Sequence, residues 1–434
     1  MTAPVQESFG NRAATPIPAE FRLSEVLAGL SFALDLTEGR RPGHAVRTCA
    51  IGIRLADVIG FPASQRNALF YGLLMKDLGG SSNASRFAAL FSADDQTLKA
   101  SLQTANGSST LDSFQFVAAN VAPGHFWLHR LWHATAVLSH GAEGAREVVR
   151  ERCERGAEIA AVLQLPDETA DAIRALDEHW DGAGQPYGKK AGAIPLLARL
   201  LSLAQTLEVH VSEFGMRSAY DMAVWGRGSR FDPDLVDALV GLRSDEDFWG
   251  ALAETNVERL LASIGPTDSE DRIDDDRLDL VAEAFARVID AKSPWTYCHS
   301  TGVARIAVQM GYAMNLPIGR LRTLYRAALL HDLGKLGVSS LILDKPNQLT
   351  KDEMLVMRAH TEHTHQILSP GSGPSVIWLR RLPHTTSALT AEATIAACPK
   401  RTCRSNRKFC APPTSLTRCC PRARIVKRSI RTTR

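Results

Sequence analysis

Long apolar runs are missing from this sequence. No stretch approaches the roughly 20 consecutive apolar residues that a membrane-spanning helix needs. The start, MTAPVQESFGNRAATPIPAE, also lacks the basic segment followed by an apolar one that marks an export signal. We therefore expect a cytoplasmic protein without a membrane span, with a disordered N-terminus at residues 1–20.

Cysteine and acidic residues are scarce in opposite parts of the chain. Only Cys49, Cys153 and Cys298 occur in the first 370 residues, too few and too scattered for a disulfide framework. The last 64 residues hold the other five cysteines and 14 Lys and Arg, but a single acid, Glu392. Their net charge is +13, and because the whole chain carries +3, the first 370 residues carry −10. The tail therefore differs in kind from the rest.

Alternation of apolar and polar residues, which marks a half-buried strand, is nearly absent. Apolar residues instead recur every three or four positions, as in LSEVLAGLSFALDL, and this spacing predicts amphipathic helices. With 434 residues, 45% of them hydrophobic and 22% charged, the chain is long enough for two or three globular domains. We predict an all-α protein with helical domains at 21–264 and 278–370, an acidic linker at 265–277 and a disordered basic tail at 371–434.

The sequence contains an internal repeat with an offset of 255 residues. A His, a Pro and a dipeptide ending in Asp recur at this offset: His44, Pro62 and Lys76-Asp77 in the first copy, His299, Pro317 and His331-Asp332 in the second. The segments around the dipeptide also match, NALFYGLLMKDLG against RTLYRAALLHDLG. Equal spacing predicts equal helix and turn lengths, so the two copies should superpose.

The second copy concentrates side chains that bind metals and phosphates. They are His299, His331, Asp332, Lys335 and His360. Imidazole and carboxylate together suit Fe, Mn or Zn, and a lysine can hold a phosphate oxygen. The cluster predicts metal-assisted hydrolysis of a phosphoester. A single histidine on a helix is more often a surface or core residue, so the prediction depends on the whole set.

The stretch from His331 to Leu368, HDLGKLGVSSLILDKPNQLTKDEMLVMRAHTEHTHQIL, resembles the core of the HD-GYP branch of the HD phosphohydrolase superfamily. The KP turn, the LT helix start and the M-x-x-H element all match. The resemblance implies an all-helical fold, two or three metal ions, and hydrolysis of cyclic di-GMP in bacterial second-messenger signalling. By position it implies His299, His331, Asp332 and His360 as ligands of Fe or Mn, with Asp332 and Lys335 in catalysis and Lys335 on a phosphate.

The first copy resembles the same family but departs from it at the ligands. The departures are Lys76 for the His of the His-Asp pair, Arg152 at the position of His360, Leu176-Asp177 for the two His of an HHExxDGxGYP motif, and Gln205 for a last metal-binding Asp. We interpret this domain as degenerate, with fixed cations in place of bound metal. A mononuclear site on His44 and Asp77 is the alternative.

The family pattern stops soon after Leu368. The tail could be a basic nucleic-acid-binding arm or a zinc module, but it lacks interleaved aromatics and paired C-x2-C spacing. Read from the third base of each codon with the first two of the next, residues 384–399 permit H-H-E-R-L-D-G-R-G-Y-H-R-G-L-P with synonymous codons, which departs from the family by G-Y-H in place of G-Y-P. Residues 409–426 likewise permit A-A-D-V-F-D-A-L-L, which resembles the family's terminal metal-binding helix. We predict a frameshift near residues 369–372 that truncates the second domain.

Three functions are compatible with these patterns. The first is a metal-dependent phosphodiesterase acting on a cyclic dinucleotide, impaired in this chain by the truncation. The second is a non-catalytic adaptor that binds a nucleotide or a protein partner, or forms a homodimer. Nucleic-acid binding through the +13 tail is the third, and we disfavour it because the tail reads as out of frame.

Overall fold

The computed structural model describes residues 21–104, 120–121, 141–253, 257–266, 271–296 and 298–368. The expectations for residues 1–20 and for the tail lie outside these ranges. Within them, the only sheet is a two-stranded antiparallel ribbon of β1 (Phe21–Arg22) and β2 (Arg272–Ile273). The predicted all-α class is confirmed. Among the helices described, none has both the length and the hydropathy needed to cross a bilayer.

The first part of the chain folds into helices whose starts follow prolines or polar caps. Pro166 and Pro195 immediately precede helices, and Asp232 caps another by accepting a hydrogen bond from the Asp234 N–H at 3.0 Å. The helices described are α1 (Leu23–Thr37), α2 (His44–Val58), α3 (Arg66–Met75), α4 (Ala84–Phe91), α5 (Asp95–Thr104), α6 (Gly141–Val162), α7 (Asp167–Arg174), α8 (Leu196–Trp225), α9 (Pro233–Gly241), α10 (Glu246–Ala253) and α11 (Val257–Ile264).

The second part repeats the beginning of the first. Its helices are α12 (Asp275–Ala291), α13 (His299–Ala313), α14 (Ile318–Leu330), α15 (Ser340–Leu343) and α16 (Lys351–Leu368). Helices α2 and α13 each have 15 residues and begin 255 positions apart, and α3 and α14 end 255 positions apart. The residue before each histidine is left-handed in both copies, Gly43 at φ 84° and Cys298 at φ 57°. The equal lengths expected from the repeat are observed for α2 and α13, whereas α3 has 10 residues and α14 has 13.

One cluster of buried apolar side chains runs through both copies. It joins Leu34 of α1 and Leu74 of α3 to Phe285 of α12 and Leu330 of α14. Helix α1 also packs against the 3-10 segment Leu333–Gly337 of the second copy. The two copies therefore share a core, and the division into domains remains a sequence prediction.

Part of the segment interpreted as a linker is built into this core. Asp271 is 3% exposed, and its carboxylate accepts hydrogen bonds from the Ser24 N–H at 2.9 Å and the Tyr71 hydroxyl at 2.5 Å. The next two residues form β2. One acidic residue of this segment, Asp271, is thus a buried carboxylate, and its hydrogen bonds connect the chain just before α12 to α1 and α3.

A buried ion pair also connects the copies. Asp95, at the start of α5, accepts a hydrogen bond from Lys292 Nζ at 2.5 Å and another from the Ser340 backbone N–H at 2.7 Å. The side chains of Asp95 and Lys292 are 0% and 1% exposed. Burial lowers the pKa of Lys292, and Asp95 opposes that shift. Because neither charge reaches water, each depends on the other.

We predict that Lys292→Met lowers the free energy of unfolding by about 3–5 kcal/mol, because it leaves Asp95 charged, buried and without its cation. Adding Asp95→Asn to Lys292→Met should recover part of that loss. Chemical denaturation of the single and double variants measures both effects. Arg227→Met, which breaks an exposed pair with Asp237, is the control and should leave the midpoint nearly unchanged. Equal stability of Lys292→Met and the native protein would contradict the prediction.

Candidate metal centre

The histidine that opens α13 is held by the helix start itself. Asp290, at the end of α12, accepts hydrogen bonds from the Ser300 N–H at 3.2 Å and from the Ser300 hydroxyl at 2.6 Å. In the first copy Asp35 accepts from the Ala45 N–H at 3.2 Å. Asp35 and Asp290, like Ala45 and Ser300, are 255 positions apart. The same carboxylate cap therefore fixes the start of each helix, and with it the position of the first helical residue, His44 or His299.

A second element brings the His-Asp pair to the same place. His331 and Asp332 follow the last turn of α14, and Leu333–Gly337 then continues as a 3-10 helix. Lys335 lies on this tight turn, and its Nζ is 2.7 Å from Asp332 Oδ2. Lys335 lies three residues after Asp332 in the chain. The tight turn between them brings its ammonium group within hydrogen-bonding distance of the Asp332 carboxylate.

Gly334 allows α16 to approach the turn that carries the His-Asp pair. A Cβ on Gly334 would lie 2.0 Å from the backbone carbonyl oxygen of His360, so only glycine fits without movement. In the first copy a Cβ on Gly79 would lie 1.9 Å from the carbonyl oxygen of Arg152. The same close crossing occurs in both copies. It places Arg152 at the position that His360 occupies in the second copy.

The three expected histidine ligands converge on the fourth ligand, Asp332. The Nε2 atoms of His331, His299 and His360 lie 3.1, 3.5 and 3.6 Å from its carboxylate oxygens. Asp332 is 4% exposed, whereas the three imidazoles are partly open to solvent. Residues 61 positions apart in the chain are therefore neighbours around one buried carboxylate.

Two of the imidazoles are oriented by backbone carbonyls. Nδ1 of His331 donates to the Ala328 carbonyl at 2.8 Å, and Nδ1 of His360 donates to the Met357 carbonyl. A carbonyl can only accept, so Nδ1 must carry the proton and Nε2 is the atom left for a ligand bond. Metal-binding histidines are commonly held in this way.

The charges around Asp332 favour its ionised form. Burial opposes ionisation, but His299, His331 and Lys335 outweigh it and hold the pKa of Asp332 well below its usual range. Burial also opposes the charged form of His331, yet Asp332 raises the pKa of that imidazole. For His360 burial prevails, and its pKa is lowered. The candidate metal centre therefore contains an ionised carboxylate, Asp332, which attracts positive charge.

The donor set suits a divalent metal. Ligand atoms of His299, His331 and Asp332 all lie within 4.8 Å of one another, so one ion could contact all three. His360 Nε2 lies 3.6 Å from the other Asp332 oxygen. Imidazole nitrogen with carboxylate oxygen is the set that Fe, Mn and Zn accept. The structure thus contains a group able to hold a metal, and the metal's identity stays a prediction.

In the first copy the corresponding carboxylate is already paired. Lys76 Nζ contacts Asp77 Oδ2, and both side chains are buried. Burial opposes ionisation of Asp77, but Lys76, His44 and Arg152 outweigh it, so its pKa lies below the ordinary value. Arg152 makes its direct ion pair with Asp177 at 3.0 Å. Fixed cations surround Asp77 where imidazoles surround Asp332.

His44 has a partner that the sequence did not reveal. Glu208 of α8 contacts His44 Nδ1 and accepts a hydrogen bond from Arg47 Nε at 2.6 Å. Burial opposes ionisation of Glu208, but His44 and Arg47 lower its pKa to about 2. Gln205, one helical turn earlier, is buried, and its Oε1 has no hydrogen-bond partner among the described residues.

Two signals could have found the missed residues. Glu208 lies three positions after Gln205, so both face the same side of α8. Asp35 and Asp290 obey the 255-residue offset, but a carboxylate nine residues before a histidine carries no recognisable motif. Their role as caps depends on the turn between two helices, which single-sequence reading does not specify.

Comparison with known proteins places this chain in a family. HD domain models match residues 130–235 and 296–429, so two HD domains lie in tandem. The chain is 36% identical over 348 residues to a 3'3'-cGAMP-specific phosphodiesterase of Vibrio cholerae serotype O1, covering 80% of this chain and 75% of the relative. This chain belongs to the HD-GYP branch of the HD superfamily. The second HD match extends beyond the described residues.

Two further relatives agree with this membership. A second 3'3'-cGAMP-specific phosphodiesterase of V. cholerae is 28% identical over 240 residues, 52% of this chain and 55% of that protein. The crystal structure of a cyclic GMP-AMP-specific phosphodiesterase of V. cholerae matches with a TM-score of 0.62 and 32% identity, covering 87% of this chain and 86% of that one. The HD-GYP chain thus shares its fold over most of its length with that enzyme.

We predict that Gly334→Ala destabilises the protein by about 1–3 kcal/mol, because the new methyl group must push α16 away from the His-Asp turn. Gly319→Ala is the matched control: a Cβ there meets nothing within 4 Å, and alanine is the better helix former. Denaturant midpoints of the two variants test the difference. Similar midpoints would show that α16 and the His-Asp turn are packed less closely than the structure indicates.

Proposed function

We propose that this protein is built as a metal-dependent phosphodiesterase for a cyclic dinucleotide, with the chemistry in the second HD domain. The observation that supports this most is the convergence of three imidazole Nε2 atoms on the buried Asp332 carboxylate. The sequence resemblance led us to expect cyclic di-GMP. Because two of the relatives found are named 3'3'-cGAMP-specific, we propose 3'3'-cGAMP as the preferred substrate.

The residues of the second domain divide into two roles. His299, His331, Asp332 and His360 would hold the metal, with Fe or Mn as our proposed ion. A metal there would supply Lewis acidity for hydrolysis by water. Lys335 extends over the same carboxylate and carries a positive charge that can hold a phosphate oxygen of the substrate. The hydrogen bond from Lys335 Nζ to Asp332 keeps that charge at the metal site.

The first domain has a different role in this proposal. Lys76 occupies the place of a metal-binding histidine and pairs with Asp77, so the buried carboxylate is neutralised without an ion. A carboxylate paired in this way does not need a metal to be stable. This observation favours the adaptor hypothesis for the first domain, which would support the second domain and bind a partner rather than cut a phosphodiester.

We also propose that the second domain is incomplete in this reading of the gene. With suitable synonymous codons, the shifted frame permits the HHExxDG motif and a terminal A-A-D-V-F-D-A-L-L helix in the order that the family requires. The described residues of the second domain end with α16, which corresponds to α6 of the first. Resequencing the gene across codons 365 to 385 tests this step directly.

We predict that the frame-restored protein binds Fe or Mn through the second domain. His331→Ala or Asp332→Ala should lower metal affinity by more than the roughly 10–100-fold that loss of an outer partner costs. His44→Ala should leave the bound metal unchanged, because Asp77 is neutralised by Lys76. Metal analysis after dialysis measures all three variants. Metal retained by Asp332→Ala and lost from His44→Ala would reverse the assignment of the domains.

We further predict that the frame-restored, metal-loaded protein hydrolyses 3'3'-cGAMP faster than cyclic di-GMP. Lys335→Met should reduce kcat by about 10²–10³, because a charge that stabilises the transition state is removed. Chromatography of the linear products measures both rates. Arg227→Met, which lies outside the metal centre, is the control. Full metal occupancy without cleavage of either dinucleotide would favour the adaptor hypothesis.

A further inference from the structure

The turn between α8 and α9 carries an arginine whose side chain lies against α8. This turn, residues 226–231, is held by two backbone hydrogen bonds to the loop that follows α7. The Trp180 N–H donates to the Arg230 carbonyl at 3.2 Å, and the Asp181 N–H donates to the Ser229 carbonyl at 2.9 Å. The backbone of Arg230 is therefore fixed on both sides of the residue from which its side chain extends.

The guanidinium of Arg230 pairs with no carboxylate among the described residues. Its Nη2 donates a hydrogen bond to the Thr206 hydroxyl of α8 at 3.2 Å. Its Nε is buried and has no hydrogen-bond partner within the described part of the chain. Burial lowers the pKa of Arg230, and Asp177 opposes only part of that shift. A guanidinium in such a place is costly until its N–H groups find acceptors.

The acidic residues of the neighbouring loop are engaged elsewhere. Asp177 pairs with Arg152 at 3.0 Å, and the Asp181 carboxylate accepts a hydrogen bond from the Ala183 N–H at 2.8 Å. Asp177 also acts on the pKa of Arg230 against the effect of burial, so both arginines lie close to this carboxylate. The side chains of Asp177 and Arg152 are 34% and 16% exposed, which leaves this end of the first-copy site open to a ligand from solution.

The substitutions in the first copy raise the charge of the site. Lys76 and Arg152 each replace a neutral imidazole, and Gln205 replaces a carboxylate, so each of the three makes the site more positive by one charge. Asp177 replaces another imidazole and takes one charge back, and the net change is +2 relative to the family's ligand set. This change equals the charge of one divalent metal ion. Fixed cations can therefore attract a phosphate that a metal would otherwise hold.

We propose that the first copy binds the phosphate of a small anion, either inorganic phosphate or a nucleotide, at Arg230 and Arg152, without a metal and without cleaving it. A guanidinium presents paired N–H donors that match the oxygens of a phosphate. A bound phosphate would supply Arg230 with the acceptors that the described protein does not. Asp77 is already neutralised by Lys76, so the site holds the anion with fixed cations.

This phosphate site is separate from the metal centre and from the reading frame of the tail. It gives the first domain a ligand, whereas the proposed function assigns the chemistry to the second domain. A chain that binds phosphate through Arg230 and cleaves no dinucleotide would retain the site and overturn the proposed activity. A frame-restored chain that cleaves a dinucleotide but binds no phosphate through Arg230 would do the reverse.

The experiment measures binding to the full chain as given, by equilibrium dialysis in EDTA, so that no metal contributes. The probes are inorganic phosphate, GMP, 3'3'-cGAMP and guanosine. We expect the phosphate-bearing probes to bind and guanosine, which lacks a phosphate, to bind far more weakly. Tighter binding of a nucleotide than of inorganic phosphate identifies a nucleotide as the ligand, and equal binding identifies phosphate itself. Absence of binding by all probes, or equal binding of guanosine and GMP, overturns the proposal.

Variants locate the bound phosphate. Arg230→Met should weaken binding by at least about tenfold, because it removes the charge and every guanidinium donor. Arg227→Met is the matched control: Arg227 lies on the same turn but pairs with Asp237 at the surface, so binding should change by less than about twofold. Lys335→Met should also leave binding unchanged. Loss of binding in Lys335→Met with retention in Arg230→Met would place the phosphate in the second copy and overturn the proposal.

A second variant tests the site through charge rather than through Arg230. Gln205→Glu is nearly isosteric and returns a negative charge to α8, one residue before the hydroxyl that Arg230 contacts. It should weaken phosphate binding, whereas Gln205→Met, which changes no charge, should not. Circular dichroism checks the fold of every variant, and the Gln205 pair decides the outcome if Arg230→Met is unfolded. Equal binding by Gln205→Glu and Gln205→Met would then overturn the proposal.

Discussion

Each copy of the repeat is organised around a buried carboxylate. Asp77 and Asp332 each lie just after the end of a helix, and each is 4% exposed. An ionised carboxylate in such a place is costly unless positive charge is supplied at close range. The two copies meet this requirement differently. Lys76 supplies the charge beside Asp77, whereas imidazoles and Lys335 surround Asp332, where three ligand atoms lie close enough to contact one metal ion.

This difference explains why one fold can contain a closed site and an open one. The helix caps by Asp35 and Asp290, and the glycine crossings at Gly79 and Gly334, are the same in both copies. What changes is the group that neutralises the aspartate. A lysine one residue away satisfies the charge within the protein, so the surrounding backbone can be retained after the metal ligands are lost. A copy without the metal ligands can therefore keep its fold.

The first copy contacts the second at the turn that carries Lys335. Helix α1 packs on the 3-10 turn that carries Lys335, and Gln96 donates a hydrogen bond to the Leu336 carbonyl at 3.2 Å. Asp95 holds the N–H of Ser340 a few residues further on. The turn that carries the proposed phosphate contact is thus supported from the first copy. A shared core makes the first copy part of the second copy's structure.

The sequence by itself determined the helical class, the 255-residue repeat and the set of residues that meet around Asp332. These depend on local periodicity and on equal spacing, which a single chain displays directly. It also indicated that Lys76, Arg152 and Gln205 stand at altered ligand positions. The close approach of Arg152 and His360 to matching glycines agrees with that alignment.

Only the tertiary structure decided which charges pair and which surfaces are covered. Arg152 pairs directly with Asp177 because α6 packs on α7, and Glu208 pairs with His44 because α8 packs on α2, a helix far away in the sequence. The burial of Asp271 in a segment that reads as a polar linker has the same cause. Ile51 and Ile306 have identical chemistry and equivalent places in the repeat. Their exposure differs because burial depends on a neighbouring helix, and a helix's own residues do not encode whether that neighbour is present.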